Sequence, residues 1–145
     1  MDPAGMVNGA ATPALFEFSA AQLAALAANQ KPDPIATITS TALNFPQQSV
    51  FDSQGNQWVT DHNNNTVLVF TASQLTRSGT NSTMPAVIIS SADFNGPLGI
   101  AFDGKGNLWM ANQLTTGATA PHTFIVGAAT TLNAPAGCNF GTLVN

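Results

Sequence analysis

Asp61 and His62 stand side by side and are followed by Asn63. An aspartate beside a histidine orients the imidazole and raises its basicity, which makes a general base that works near neutral pH. Asp61, Asn63 and Asn112 also offer side-chain oxygens, the donors that a hard cation such as calcium prefers. The same run, Asp-His-Asn-Asn-Asn, is equally the composition of a polar hairpin loop, so a catalytic reading and a turn-forming one stand together. His122 is the second imidazole and follows Pro121 in a loop-like stretch. Cys138 is the only cysteine, which excludes an internal disulfide and a cysteine-based zinc site and suits a small buried hydrophobe. The chain has no Gly-x-Ser-x-Gly elbow, no phosphate loop and no His-x-x-x-His pair.

Charge narrows the partners. The formal net charge is −4, and Lys31, Arg77 and Lys105 are the only fixed cations in 145 residues. Nucleic-acid affinity comes mostly from Lys and Arg set against phosphates, and three scattered cations do not supply it. An anionic membrane surface is disfavoured for the same reason, and no apolar run approaches the roughly 20 residues of a membrane helix. Charged residues make up 7% of the chain, and polarity comes instead from Asn, Gln, Ser and Thr. That suits β-structure with a hydrated, weakly charged surface.

The candidate residues lie in a repeat. Phe51-Asp52-Ser53-Gln54-Gly55-Asn56-Gln57-Trp58-Val59 matches Phe102-Asp103-Gly104-Lys105-Gly106-Asn107-Leu108-Trp109-Met110 at an offset of 51. The same offset pairs Pro34 with Pro85, Ile38 with Ile89, Asn44 with Asn95 and Pro46 with Pro97. Phe18, Gln22 and Leu23 pair with Phe70, Gln74 and Leu75 at an offset of 52. Asn133 to Phe140 echoes Asn95 to Phe102 at a contracted spacing of 38. A period of this length is the mark of a repeat architecture.

Alternation and punctuation place the strands. One runs from Pro97 to Phe102, and Asp103 to Asn107 forms a tight turn in which Gly106 takes positive φ and Asp103 accepts from turn amides. Leu108 to Ala111 is the next strand, with Trp109 packed between neighbouring sheets. In the earlier copy, Asn63-Asn64-Asn65 turns the chain into a strand from Thr66 to Phe70. A helical turn follows near Thr71 to Leu75, and then an outer strand from Ala86 to Ser90. Ser19 can cap a longer version of that helix through the alanine-rich stretch to Ala28. Four short antiparallel strands per unit make the blade of a β-propeller, so the expected class is all-β.

The pattern Phe-Asp-x-x-Gly-Asn-x-Trp-Val, preceded by Pro-x-Gly-Ile-Ala, resembles NHL-type repeats and the related propeller lactonases of the gluconolactonase and senescence-marker type. Residues 1–13 read as a tail and 14–145 as a partial propeller, with copies at about 14–64 and 65–115 and a shortened third at 116–145. In the lactonases the residue after the repeat proline is commonly Asn or Asp and holds a catalytic calcium. Here the matching positions are Gln47, Leu98 and Ala136, of which only Gln47 can ligate.

The resemblance implies a calcium-assisted hydrolase that opens acyl-homoserine or sugar lactones. His62 would be the base, Asp61 its orienter, and Asp61, Asn63, Asn112 and Gln47 the metal set. The other readings are a non-catalytic module that binds protein or glycan, and a structural repeat of an exported protein. Two and a half blades leave apolar faces bare, so self-association that completes the ring is expected. Residues 1–9 lack the regions of a secretory signal, while the composition resembles secreted or periplasmic bacterial proteins.

Overall fold

The structure, a computed structural model, describes residues 6–7, 10–26, 30–113 and 123–126. Strands β1 (Met6–Val7), β2 (Ala10–Ala11) and β3 (Ala14–Glu17) precede a one-turn helix α1 (Ala20–Ala24) and strand β4 (Ala36–Thr39). Next come β5 (Pro46–Phe51), β6 (Gln57–Asp61), β7 (Thr66–Phe70) and the helical turn α2 (Ala72–Leu75). The last five strands are β8 (Gly79–Ser82), β9 (Val87–Ser90), β10 (Pro97–Phe102), β11 (Leu108–Asn112) and β12 (Thr123–Val126).

The described residues are mostly β-structure, in three sheets of three or four strands and the two-stranded pair β1–β2. The middle sheet has the order β5-β6-β7-β9, antiparallel throughout. The third sheet is β10-β11-β12, also antiparallel. The first sheet is β3-β4-β8, where β3 and β4 are antiparallel and β8 lies parallel to β4. The repeat is visible in the register: Leu15 faces Ile38 as Val67 faces Ile89, and Phe16 faces Thr37 as Leu68 faces Ile88. The first sheet therefore carries the counterparts of β7 and β9, and the third the counterparts of β5, β6 and β7.

Burial explains the middle sheet. Trp58, Val59, Thr60 and Asp61 on β6, and Val67 to Phe70 on β7, are all buried. Successive side chains on a strand point to opposite faces, so both faces of this sheet are covered. Trp58, Val67 and Val69 pack with Phe94, Ile100, Leu108 and Met110 towards the third sheet. Val59, Leu68 and Phe70 pack with Ile38 and Leu43 towards the first. A continuous apolar run such as Val67-Leu68-Val69-Phe70 is what a strand covered on both faces requires.

Several expectations shift. The outer strand begins at Val87 rather than Ala86. Helix α1 stops at Ala24 with Ala25 as its C-cap, and residues 27–29 lie outside the described residues. The stretch read as a tail contains the antiparallel pair β1–β2. Trp109 is 38% exposed, because no sheet covers the far face of β10 and β11 among the described residues. His122, Ala136, Cys138 and the echo from Asn133 to Phe140 lie outside the described residues.

Candidate functional site

The repeated aspartates at the β5–β6 and β10–β11 turns close their hairpins. Asp52 Oδ1 accepts from the backbone N–H of Gln54 and of Asn56, each at 2.9 Å. Its Oδ2 accepts from Asn56 Nδ2 at 2.8 Å and from the indole of Trp58 at 3.0 Å. Asp103 repeats the set with Lys105, Asn107 and Trp109. Four donors to one carboxylate favour its charged form, and the bonds from Asn107 lead in holding the Asp103 carboxyl well below the usual carboxylate range. Gly55 at φ 80° and Gly106 at φ 82° supply the left-handed residue that each turn needs. These carboxylates are turn formers, as their spacing implies.

Asp61 ends β6 at the opposite edge of the sheet and is completely buried. Its oxygens accept from the backbone N–H of Asn44 at 2.7 Å, Phe45 at 3.1 Å and Asn64 at 3.3 Å. It thereby ties the segment that leads into β5 to the end of β6, and it makes no hydrogen bond to the His62 ring. Asn112 does the same work one repeat later: Oδ1 accepts from the Asn95 N–H at 3.2 Å and Nδ2 donates to the Asp93 carbonyl at 2.7 Å. Asp61 and Asn112 are 51 positions apart, as are Asn44 and Asn95. That offset is the signal in the sequence by which the pair identifies itself as a backbone clip.

His62 sits just outside this clip. Its Nε2 meets Gln113 Oε1 at 2.6 Å and its Nδ1 meets Asn63 Oδ1 at 3.1 Å. Two amide oxygens on the two ring nitrogens favour the imidazolium, and with the Gln113 bond as the larger cause they raise its pKa above the ordinary value. Phe45 lies edge-on to the ring at 5.9 Å between centroids. Gly96, at φ 62°, passes so close that a Cβ there would stand 2.6 Å from His62 Nε2. The Gly96 N–H donates to Asn65 Oδ1 at 2.8 Å, and Asn65 itself has a positive φ of 53°. Hence His62, Asn65, Gly96 and Gln113 form a polar seam between the middle and third sheets.

The two residues behind Pro46 divide their roles. Gln47 is exposed on the rim. Gln48 Oε1 accepts from the Ile100 N–H at 2.9 Å, and Thr60 Oγ1 donates to the Leu98 carbonyl at 2.8 Å, so both join the middle sheet to β10. Gln48 and Thr60 did not stand out in the sequence, because their counterparts Gly99 and Ala111 are small and break the repeat.

A calcium ion needs about six to eight oxygens directed at one point. Asp61 turns its oxygens to three backbone amides, Asn112 to Asn95, and Asn63 to the His62 ring. Each of these three side chains thus has a partner within the protein, and Gln47 is exposed. Among the described residues no group of three His, Cys, Asp or Glu side chains is arranged to hold a metal. No helix among them is long and apolar enough to cross a membrane. No protein-family profile matches the chain, and no curated protein matches it either.

A cavity of about 840 Å³ lies away from this rim, between β3 and the Asp52 end of the middle sheet. Phe16, Phe18, Ile35 and Phe51 line it, together with Glu17 and Arg77. All four of those apolar side chains are exposed.

Proposed function

We propose that the chain is a section of a β-propeller of the NHL and gluconolactonase-like type that acts by binding at its rim, with neutral carbohydrate as the ligand class. The observation that carries this reading is the composition of the rim. Phe45 is 51% exposed there, edge-on to His62, and Gln47, Asn63, Asn64 and Gln113 are exposed beside it. Amide side chains both donate and accept, which matches the hydroxyls of a sugar, while an exposed aromatic ring offers an apolar surface to the C–H face of a sugar ring. The stacked sheets and the repeated hairpin geometry support the propeller part of the reading. The composition of an exported protein suits an extracellular or periplasmic ligand of this kind.

A titration of neutral oligosaccharides, chosen by glycan array and measured by calorimetry, tests the proposal. Binding that is lost in Phe45→Ala, with the circular dichroism spectrum unchanged, is the expected result. The competing reading is calcium-assisted lactone hydrolysis with His62 as base and Asp61 as orienter. It takes over if the protein binds no glycan but opens lactones in a manner abolished by a chelator and by His62→Ala.

A further inference from the structure

Among the described residues, one aromatic contact joins successive sheets. Phe102 on β10 stands edge-on to Trp58 on β6, with centroids 5.5 Å apart and planes at 86°. The 51-residue repeat of Phe102 is Phe51, and that of Trp58 is Trp109. Phe51 is 60% exposed, on the β5 edge of the middle sheet that the first sheet leaves uncovered, and Trp109 is 38% exposed, on the open face of the third. Each is half of a contact whose other half sits at the far end of the same chain.

The backbone carries the same mismatch. On the middle sheet, β7 pairs with β9 on one edge and with β6 on the other. Its counterpart β3 pairs with β4 but carries no strand on its second edge among the described residues. The space where that strand and its hairpin partner belong is the cavity lined by Phe16, Phe18, Ile35 and Phe51. In the third sheet, β10 and β11 form such a hairpin, and β12 on its edge has no fourth strand beyond it among the described residues.

We infer that a second copy of this chain fills the cavity with its β10–β11 hairpin, so that β3 of one copy pairs with β11 of the next. The inference rests on the propeller part of the reading above and not on its carbohydrate ligand. By the register of β6 on β7, Leu15 comes opposite Ala111 of the second copy and Phe16 opposite its Met110. Trp109 of the second copy then meets Phe51, repeating the contact of Trp58 with Phe102. Strand β3 displaces β12 because it brings β4 with it, and the junction takes the order β10-β11-β3-β4 of the middle sheet, with β8 as a fifth strand beyond β4. Strand addition at an open edge gives main-chain hydrogen bonds, while the apolar cavity gives the fit. The interface continues the packing that the chain already makes between its middle and third sheets. It is heterologous, head to tail, and closes into a ring if the rotation allows.

Sedimentation and light scattering on the full chain test this. Wild type is expected to form species larger than one chain that dissociate on dilution. Phe51→Asp and Trp109→Asp are each expected to be monomeric. Each variant keeps one intact end, so an equimolar mixture is expected to recover one junction and give a dimer and nothing larger. Fluorescence adds a second reading, because Trp109 emission should shift to the blue on assembly while buried Trp58 stays constant. A wild type that is monomeric at every concentration overturns the inference, as do variants that assemble unchanged or a mixture that does not associate. Hydrogen exchange separates this failure from that of the fold reading. A monomer whose β5–β9 amides remain protected loses the docking alone, and one without that protection loses the stacked sheets as well.

Discussion

The Asp52 hairpin and the Asp103 hairpin make the same four side-chain hydrogen bonds at nearly the same lengths. Yet Trp58 in the first is completely buried, and Trp109 in the second is 38% exposed. The turn is thus a local object, set by Asp, Gly, Asn and Trp at fixed spacing whatever lies beside it. Burial comes from the next sheet, which Trp58 has and Trp109 lacks among the described residues. Local hydrogen bonds form the hairpins, and face-to-face packing between sheets provides the core.

Substitution at the two tryptophans separates these contributions most sharply. Trp58→Ala leaves a large cavity in the core and is expected to cost about 3–5 kcal/mol. Trp109→Ala, in the unassembled chain, should cost about 1 kcal/mol or less. Urea unfolding of both variants checks this, and equal losses would mean that the far face of the third sheet is covered.

A smaller contrast lies between two left-handed glycines. Gly96 is at φ 62° with His62 of the neighbouring sheet against it, whereas Gly79 is at φ 77° in open space. Gly79→Ala carries only the backbone strain, about 1 kcal/mol. Gly96→Ala adds a clash across the seam and should cost about 2 kcal/mol or more. Thermal melts that rank them the other way would show that His62 does not sit on Gly96.

The mildest effect is that of pH on His62. Its folded pKa is raised, so its contribution to stability is complete below the unfolded value of about 6.5 and fades as the pH rises through the higher folded value. An NMR titration of the ring should place the midpoint above that of a free histidine, and Gln113→Ala should move it back. A midpoint at or below the ordinary value would return His62 to the role of a base.

Much of the fold was legible because the repeat is written in residues that a turn demands. Asp103, Gly106 and Asn107 fixed the hairpin, and Pro97–Phe102 and Thr66–Phe70 followed as strands with the boundaries expected. Gln22 and Gln74 matched at an offset of 52, and each accepts the N–H of the residue before its helix, Ser19 and Thr71. Strand β8 was not legible, because Gly79-Thr80-Asn81-Ser82 has no alternation and is held by its backbone to β4. Nor was the role of Asp61, because a buried carboxylate that collects backbone amides looks, in one dimension, like any acidic residue in a polar loop. Its alignment with Asn112 carried the information, since an amide can replace a carboxylate in a backbone clip more readily than in an Asp–His dyad.

The most direct measurement compares the unfolding free energies of Asp61→Ala and Asp61→Asn. If Asp61 serves the fold, alanine removes the acceptor of the Asn44, Phe45 and Asn64 N–H groups and leaves a gap at a fully buried position, and should cost about 3 kcal/mol or more. Asparagine, the residue that the next repeat uses at this position, should cost roughly half as much. An Asp61→Ala protein as stable as wild type would contradict the account.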